Sequence, residues 1–299
     1  MMDLLSCRVL KLIKVNHGLD SLRTRASLQT ALFALSVAFL WALLGLSGGL
    51  SVAHAQSTAQ AIAQYRAMLQ DGNPADLFVD KGEALWREPR GPKKATLEAC
   101  DLGLGPGVLE GAWVQLPRYF KDTQKVQDLE SRLLTCMQTL QGFDAGSIAQ
   151  TPFGVGEQIN VSALAAYVSS KSEGKVFQLP QAHEEERRFY EIGKRLFYTR
   201  AGPYDFSCST CHSQNEKRIR LQDLPNLTTQ DGAAAGFGAW PAYRVSNGQM
   251  WSMQQRLNDC LRQQRFPYPI FASDATIALG VYMGVNAKGG QAIAPALKR

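Results

Sequence analysis

Cys208-Ser209-Thr210-Cys211-His212 decides how the rest of this 299-residue chain is read. C-x-x-C-H is the attachment signature of c-type haem: two thiols one turn apart form thioethers to the vinyl groups, and the histidine beside them binds iron. A thioredoxin-type dithiol needs a strand-to-helix context, and a zinc site needs a second pair of ligands. Neither surrounds this motif. The spacing therefore points to one covalently attached haem c, held by Cys208 and Cys211 with His212 on the iron.

Outward from the motif, the pattern is helical. Glu184–Tyr198 sets Phe189, Ile192, Leu196 and Phe197 at helical spacing with charges opposite. Ser273 and Asp274 open a last helix whose apolar face is Ile277, Val281 and Tyr282. Gly193 and Phe197 before the motif, with Tyr282 after it, resemble the crossed terminal helices of class I cytochromes c. No stretch alternates long enough to make a sheet.

An order of residues occurs twice. Gly82 and Trp86 are followed by Cys100 and then by Arg132-Leu133-Leu134-Thr135-Cys136. Gly193 and Phe197 are followed by Cys208 and Cys211 and then by Arg256-Leu257-Asn258-Asp259-Cys260. The expected fold is mainly α, with two tandem class I cytochrome c-like domains, the first lacking haem because Cys100 has no second cysteine or histidine beside it. The expected division is 1–55 signal peptide, 56–175 haem-less domain and 176–299 haem-binding domain, with the boundary in the stretch Ser169–Pro180. Cys100 and Cys136 are left over. Either they form a disulfide, contributing about 3–4 kcal/mol if unstrained, or they are two buried free thiols.

Composition agrees with a globular protein: 45% of residues are apolar and 19% charged, with 26 Gly and 13 Pro, which excludes a disordered, collagen-like or coiled-coil chain. Arg8, Lys11, Lys14, Arg23 and Arg25 precede an uncharged apolar run from Ala31 to Leu46, and small residues end at Ala53-His54-Ala55. These are the parts of a cleaved export signal, which places the mature chain in the periplasm; an uncleaved anchor is the alternative. No Arg-Arg pair marks export of a folded protein. Half of the formal charge of +6 lies in that segment, and neither the remaining +3 nor any dense basic stripe elsewhere suggests nucleic acid.

The other face of the iron needs a ligand. Met250, Met253 and Met283 are candidates whose ordinary role is core filling, and His183, among charges, reads as a surface residue. Cys260 is the remaining candidate, with Arg256 one helical turn before it on the same face. A guanidinium beside that sulfur depresses its pKa and offers a fork to a sulfur oxyanion. An ordinary helix with a buried Cys and a solvated Arg is the alternative. Arg262 and Arg265 add nearby charge, by default solvated.

Cys100–Gly107, Leu116–Thr123, Asp128–Arg132, Cys208–His212 and Arg256–Arg262 together resemble the SoxA family, the larger subunits of the SoxAX cytochromes of bacterial thiosulfate oxidation. The resemblance covers nearly the whole chain after Ala55. It implies a heterodimer with a small SoxX-like cytochrome subunit, axial ligands His212 and Cys260, a persulfide on Cys260, and Arg256 as the active-site arginine. The implied reaction joins thiosulfate to a cysteine of a SoxYZ-like carrier protein, passing two electrons to cytochrome c. Members with a second haem bear a full motif in the first domain; this chain resembles the single-haem form. A pure electron-transfer cytochrome, with Met on the iron and Cys260 structural, is the competing expectation, and a non-catalytic thiosulfate- or haem-binding adaptor is a third.

Overall fold

The computed structural model describes Gln64 and residues 72–219 and 222–299. The stretch 1–55, expected from its sequence to be an export signal, lies outside the described residues, and so, apart from the helical Gln64, does the 59–69 stretch, which also reads as a helix. In chain order the elements are α1 (Ala75–Arg87), the hairpin β1 (Arg118–Phe120) and β2 (Lys125–Gln127), α2 (Leu129–Cys136), α3 (Ala145–Gln150) and α4 (Gly156–Ser170). They continue with α5 (Glu184–Tyr198), α6 (Cys208–His212), the short pair β3 (Arg218–Ile219) and β4 (Gln222–Asp223), and α7 (Gln230–Phe237). Strands β5 (Ala242–Arg244) and β6 (Gln249–Trp251), helices α8 (Met253–Gln263) and α9 (Asp274–Asn286), and β7 (Ala296–Lys298) complete the chain. The strands are two or three residues long, so the protein is mainly α; β5 pairs antiparallel with β6 and parallel with β7.

Helix α5 shows why these segments become helices. His183 accepts from the Glu185 amide while the Glu186 carboxylate reaches back to the His183 amide, and three glutamates complement the positive helix start. The His183 ring also stacks on Tyr119 at 3.6 Å between centroids. Glu186, 3% exposed, accepts from the Tyr119 amide as well, so the helix cap fastens α5 to β1.

Two helix pairs cross at glycine. A Cβ on Gly82 of α1 would lie 2.1 Å from the Ala163 carbonyl oxygen of α4, and one on Gly193 of α5 would lie 1.9 Å from that of Ala278 on α9. The ring beside each crossing then meets an aromatic of the other helix: Trp86 with Tyr167 at 6.3 Å and Phe197 with Tyr282 at 5.0 Å. Only backbone without side chain allows that approach.

The repeat extends further than the motif order shows. Leu116–Pro117 and Trp240–Pro241 are both cis, each opens a hairpin, and each hairpin leads through a capping residue, Asp128 or Ser252, into α2 or α8. From Pro117 to Cys136 the chain matches Pro241 to Cys260 without a gap. Arg132 thereby stands opposite Arg256 and Cys136 opposite Cys260.

The two halves share one core, and residues 56–299 form one compact unit. Trp113 meets Phe177 at 5.1 Å and stacks with Phe237 at 6.3 Å. Residues 171–183, between α4 and α5, run mostly along the surface, but Ser172, Phe177 and Leu179 are buried and pin the segment to the core. Phe177 is fully buried, its amide donates to the Gly290 carbonyl, and the Gln178 amide donates to that of Val114. Helix α9 is buried on nearly every side, from Thr276 to Gly284, because neighbours cover more than the face its spacing suggested.

A buried acidic pair lies at the seam. The Gln254 side chain donates to Asp128 at 2.5 Å and its amide to Glu130 at 3.4 Å. Burial, and then the Asp128 charge, push the Glu130 pKa up to about 8. Unfolded Glu130 ionises above about 4.5, whereas the folded carboxyl keeps its proton to about 8, so this group lowers stability as pH rises through that window. Glu130→Gln should therefore gain on the parent chain by up to ~1.4 kcal/mol per pH unit there. Urea unfolding at pH 5 and pH 8 checks it, and an identical pH dependence in both proteins would refute it.

Candidate functional site

Helix α6 is a single turn, and its sequence explains its position. Ser207 accepts from the Thr210 amide at 3.2 Å, and Thr210 Oγ1 accepts from the Ser207 amide at 3.0 Å. That reciprocal cap fixes the turn carrying Cys208, Cys211 and His212. Nδ1 of His212 lies 2.9 Å from the Pro225 carbonyl oxygen, which accepts only, so Nδ1 is protonated and Nε2 is free to bind a metal. The Leu227 amide donates to the His212 carbonyl and ties the same loop to the turn.

Cys208 and Cys211 are unpaired, and both are partly accessible. Burial, then the neighbouring Cys260 and Cys211, raise the Cys208 thiol to about 12. Cys260, also unpaired, is raised overall, contrary to the depression expected from Arg256: burial outweighs the lowering by Arg256 and Arg244, and Asp259 and Cys211 raise it further. The His212 imidazole is lowered by burial and by the Arg256 charge, against the Pro225 bond. The fold thus brings Cys208, Cys211, His212, Cys260 and Arg256 into one electrostatic neighbourhood. These residues fit haem c: two free thiols, a histidine oriented through Nδ1, and a sulfur arriving on a different helix.

The first half holds the same two residue types in a different state. Cys136 is joined to Cys100 by a disulfide. Arg132 is 4% exposed and saturated: Nε donates to the Asp101 carbonyl at 2.6 Å, Nη1 to the Asp122 carboxylate at 2.7 Å, and the guanidinium lies 4.0 Å from the Phe120 ring centre. Arg256 donates to Asp259 at 3.1 Å and lies over Trp240 at 5.8 Å, with a quarter of its side chain exposed. Asp259 also accepts from Arg262 at 2.8 Å and Gln263 at 2.7 Å. One half has spent its cysteine and buried its arginine on structure, whereas the other keeps a free thiol and a quarter-exposed arginine that shares one carboxylate with Arg262.

Met250 packs against Ala75 and Ala166, and Met283 belongs to the main core, so both fill space. Met253 sits partly buried beside Trp240 and Trp251. His183 is an exposed cap, and Arg265 lies at a turn with positive φ. Sequence reasoning passed over Pro225, which orients His212, and over Asp259 and Arg244. The signal for Arg244 was its register opposite Phe120 once the hairpins are aligned; no motif marks it.

A capped C-x-x-C-H turn beside glycine-crossed helices defines a c-type cytochrome, here with a cysteine and an arginine at the motif. The family model for the SoxA/TsdA cytochrome c domain matches residues 81–177, the half without C-x-x-C-H. The L-cysteine S-thiosulfotransferase subunit SoxA of Hydrogenophilus thermoluteolus is 55% identical over 80% of this chain and 88% of its own length. That of Hydrogenobacter thermophilus is 34% identical over 87% and 98%. The crystal structure of SoxXA from P. pantotrophus shares the fold, with a TM-score of 0.66 at 23% identity over 79% of this chain and 84% of that one. The chain belongs to the SoxA family.

Proposed function

We propose that this chain is the SoxA subunit of an L-cysteine S-thiosulfotransferase, which joins thiosulfate to a cysteine of a SoxYZ-like carrier protein. The observation that carries the assignment to residues is the contrast between the halves. Cys260 is a free thiol beside the haem motif and Arg256 is a quarter exposed, sharing Asp259 with Arg262, while Cys136 is in a disulfide and Arg132 is buried against Asp122 and the Asp101 carbonyl.

Cys208 and Cys211 would hold a single haem c, and His212 Nε2 and the Cys260 sulfur would bind its iron. Haem c, when bound, supplies an acceptor for one electron at a time. Joining the Cys260 thiolate to the terminal sulfur of thiosulfate forms one S–S bond and releases two electrons. A second centre is therefore required, and a SoxX-like partner cytochrome passing electrons to cytochrome c would supply it. The carrier thiolate then attacks the sulfur bound to Cys260, leaves with the thiosulfate group and returns Cys260 as thiolate. Arg256 offsets the sulfonate charge during both steps.

In this reading residues 1–55 export the chain to the periplasm, 56–175 form a haem-less cytochrome c-like domain, and 176–299 form the haem domain. The repeated crossing and hairpin support that division.

Mass spectrometry with peptide mapping of the non-reduced protein, in complex with its partner cytochrome and incubated with thiosulfate and oxidised cytochrome c without the carrier, tests the reading. One haem on the Cys208–His212 peptide and a sulfur adduct on the Cys260 peptide are expected. Haem with bare Cys260 in every preparation would favour an electron carrier, and no haem would exclude both.

A further inference from the structure

We infer that Arg244 is a second anion-holding residue of this site, which grips the sulfonate end of thiosulfate while Arg256 stands beside the Cys260 sulfur; the inference rests on the proposed function. Arg244 ends β5, the central strand of the sheet whose edge strand β6 leads directly into α8. Its guanidinium is half-buried and makes no side-chain hydrogen bond or ion pair among the described residues, and Nε is enclosed without a partner. A buried Nε–H facing no acceptor is a costly arrangement unless a ligand completes it. Stacking on Trp251, with 5.1 Å from the guanidinium carbon to the ring centre, holds the plane of the fork in place.

Comparison within the chain sharpens the point. The first-half residue opposite Arg244 is Phe120, the ring under Arg132. The carboxylate that neutralises Arg132 comes from Asp122, and its counterpart is Ser246. The second half has thus gained a cation and lost an anion at the two positions that make Arg132 structural. Asp259 restores one negative charge, but Arg256 and Arg262 already share it, which leaves Arg244, lining the same cavity, without an ion pair. Arg244, Trp251, Asn258, Asp259, Arg262 and Gln263 line an open cavity of about 550 Å³. A tetrahedral oxyanion matches the spare fork, since guanidinium binds such groups through paired N–H donors.

The test uses the holoprotein in complex with its partner cytochrome, with sulfate as a non-reacting stand-in for the sulfonate. Arg244→Gln should raise KM for thiosulfate ~10–100-fold and weaken inhibition by sulfate by a similar factor, with kcat changed less than about threefold. Arg244→Lys, which keeps the charge and loses the fork, should fall between the two, and its unchanged haem spectrum guards against misfolding. Unaltered KM and unaltered sulfate inhibition would overturn the inference. A rise confined to KM for the carrier protein would overturn the sulfonate assignment. Full turnover by Cys260→Ala would instead remove the functional reading beneath it, a failure visible separately from sulfate binding.

Discussion

Cys260→Ala is expected to lower thiosulfate-dependent transfer at least about 10³-fold while leaving haem attached through Cys208 and Cys211. The alanine removes the sulfur to which thiosulfate would be bonded, and no other free thiol outside the haem motif exists among the described residues. The matched experiment is Cys136→Ala. It opens the disulfide with Cys100 and should cost about 2–5 kcal/mol of stability, with turnover per folded molecule close to that of the parent chain. Steady-state turnover and thermal unfolding of both variants separate the two roles. Equal losses of turnover would show that equivalence of position in the repeat, and not the open state of Cys260, decides the effect.

Gly193→Ala should destabilise the chain by about 3 kcal/mol, and the melting temperature should fall by about 6–12 °C. The added methyl would lie 1.9 Å from the Ala278 carbonyl oxygen and 3.0 Å from Tyr282 Cβ. Backbone cannot yield as a flexible side chain can, so α5 and α9 must separate. Their separation strips the contact between Phe197 and Tyr282 and loosens the scaffold behind the haem motif. Gly82→Ala at the other crossing should behave alike, since its methyl would lie 2.1 Å from the Ala163 oxygen. A melting temperature within about 2 °C of the parent in both variants would contradict the crossing argument.

The two predictions differ in how early they were legible. Gly193, Phe197 and Tyr282 announce a helix crossing because a gap in side-chain volume must be met by volume from elsewhere, and spacing records that. The helix Glu184–Tyr198 was readable to its ends, since its cap and its apolar period are both local. Cys208, Cys211 and His212 are a contiguous signature, and Arg256 with Cys260 follows from helical periodicity. The anchoring of 171–183 through Phe177 and Leu179 was not readable. A Ser, Lys and Gly stretch ending in proline has the composition of a linker, and its fastening depends on the Val114 and Gly290 carbonyls, each far along the chain.

By itself, the sequence determined the chemistry available to this protein: a haem-binding turn, a spare cysteine, an arginine one turn before it, and a repeated plan of helices. Each is set by bonding within a few residues, where chain connectivity alone fixes geometry. Only the tertiary structure decided which copies of those groups are free. Arg132 is buried, neutralised by Asp122 and stacked on Phe120, whereas Arg256 shares Asp259 with Arg262 and Arg244, stacked on Trp251, has no hydrogen-bond or ion-pair partner among the described residues. The difference arises because charge compensation and desolvation are properties of neighbours in space, and identical local patterns acquire different neighbours in the two halves.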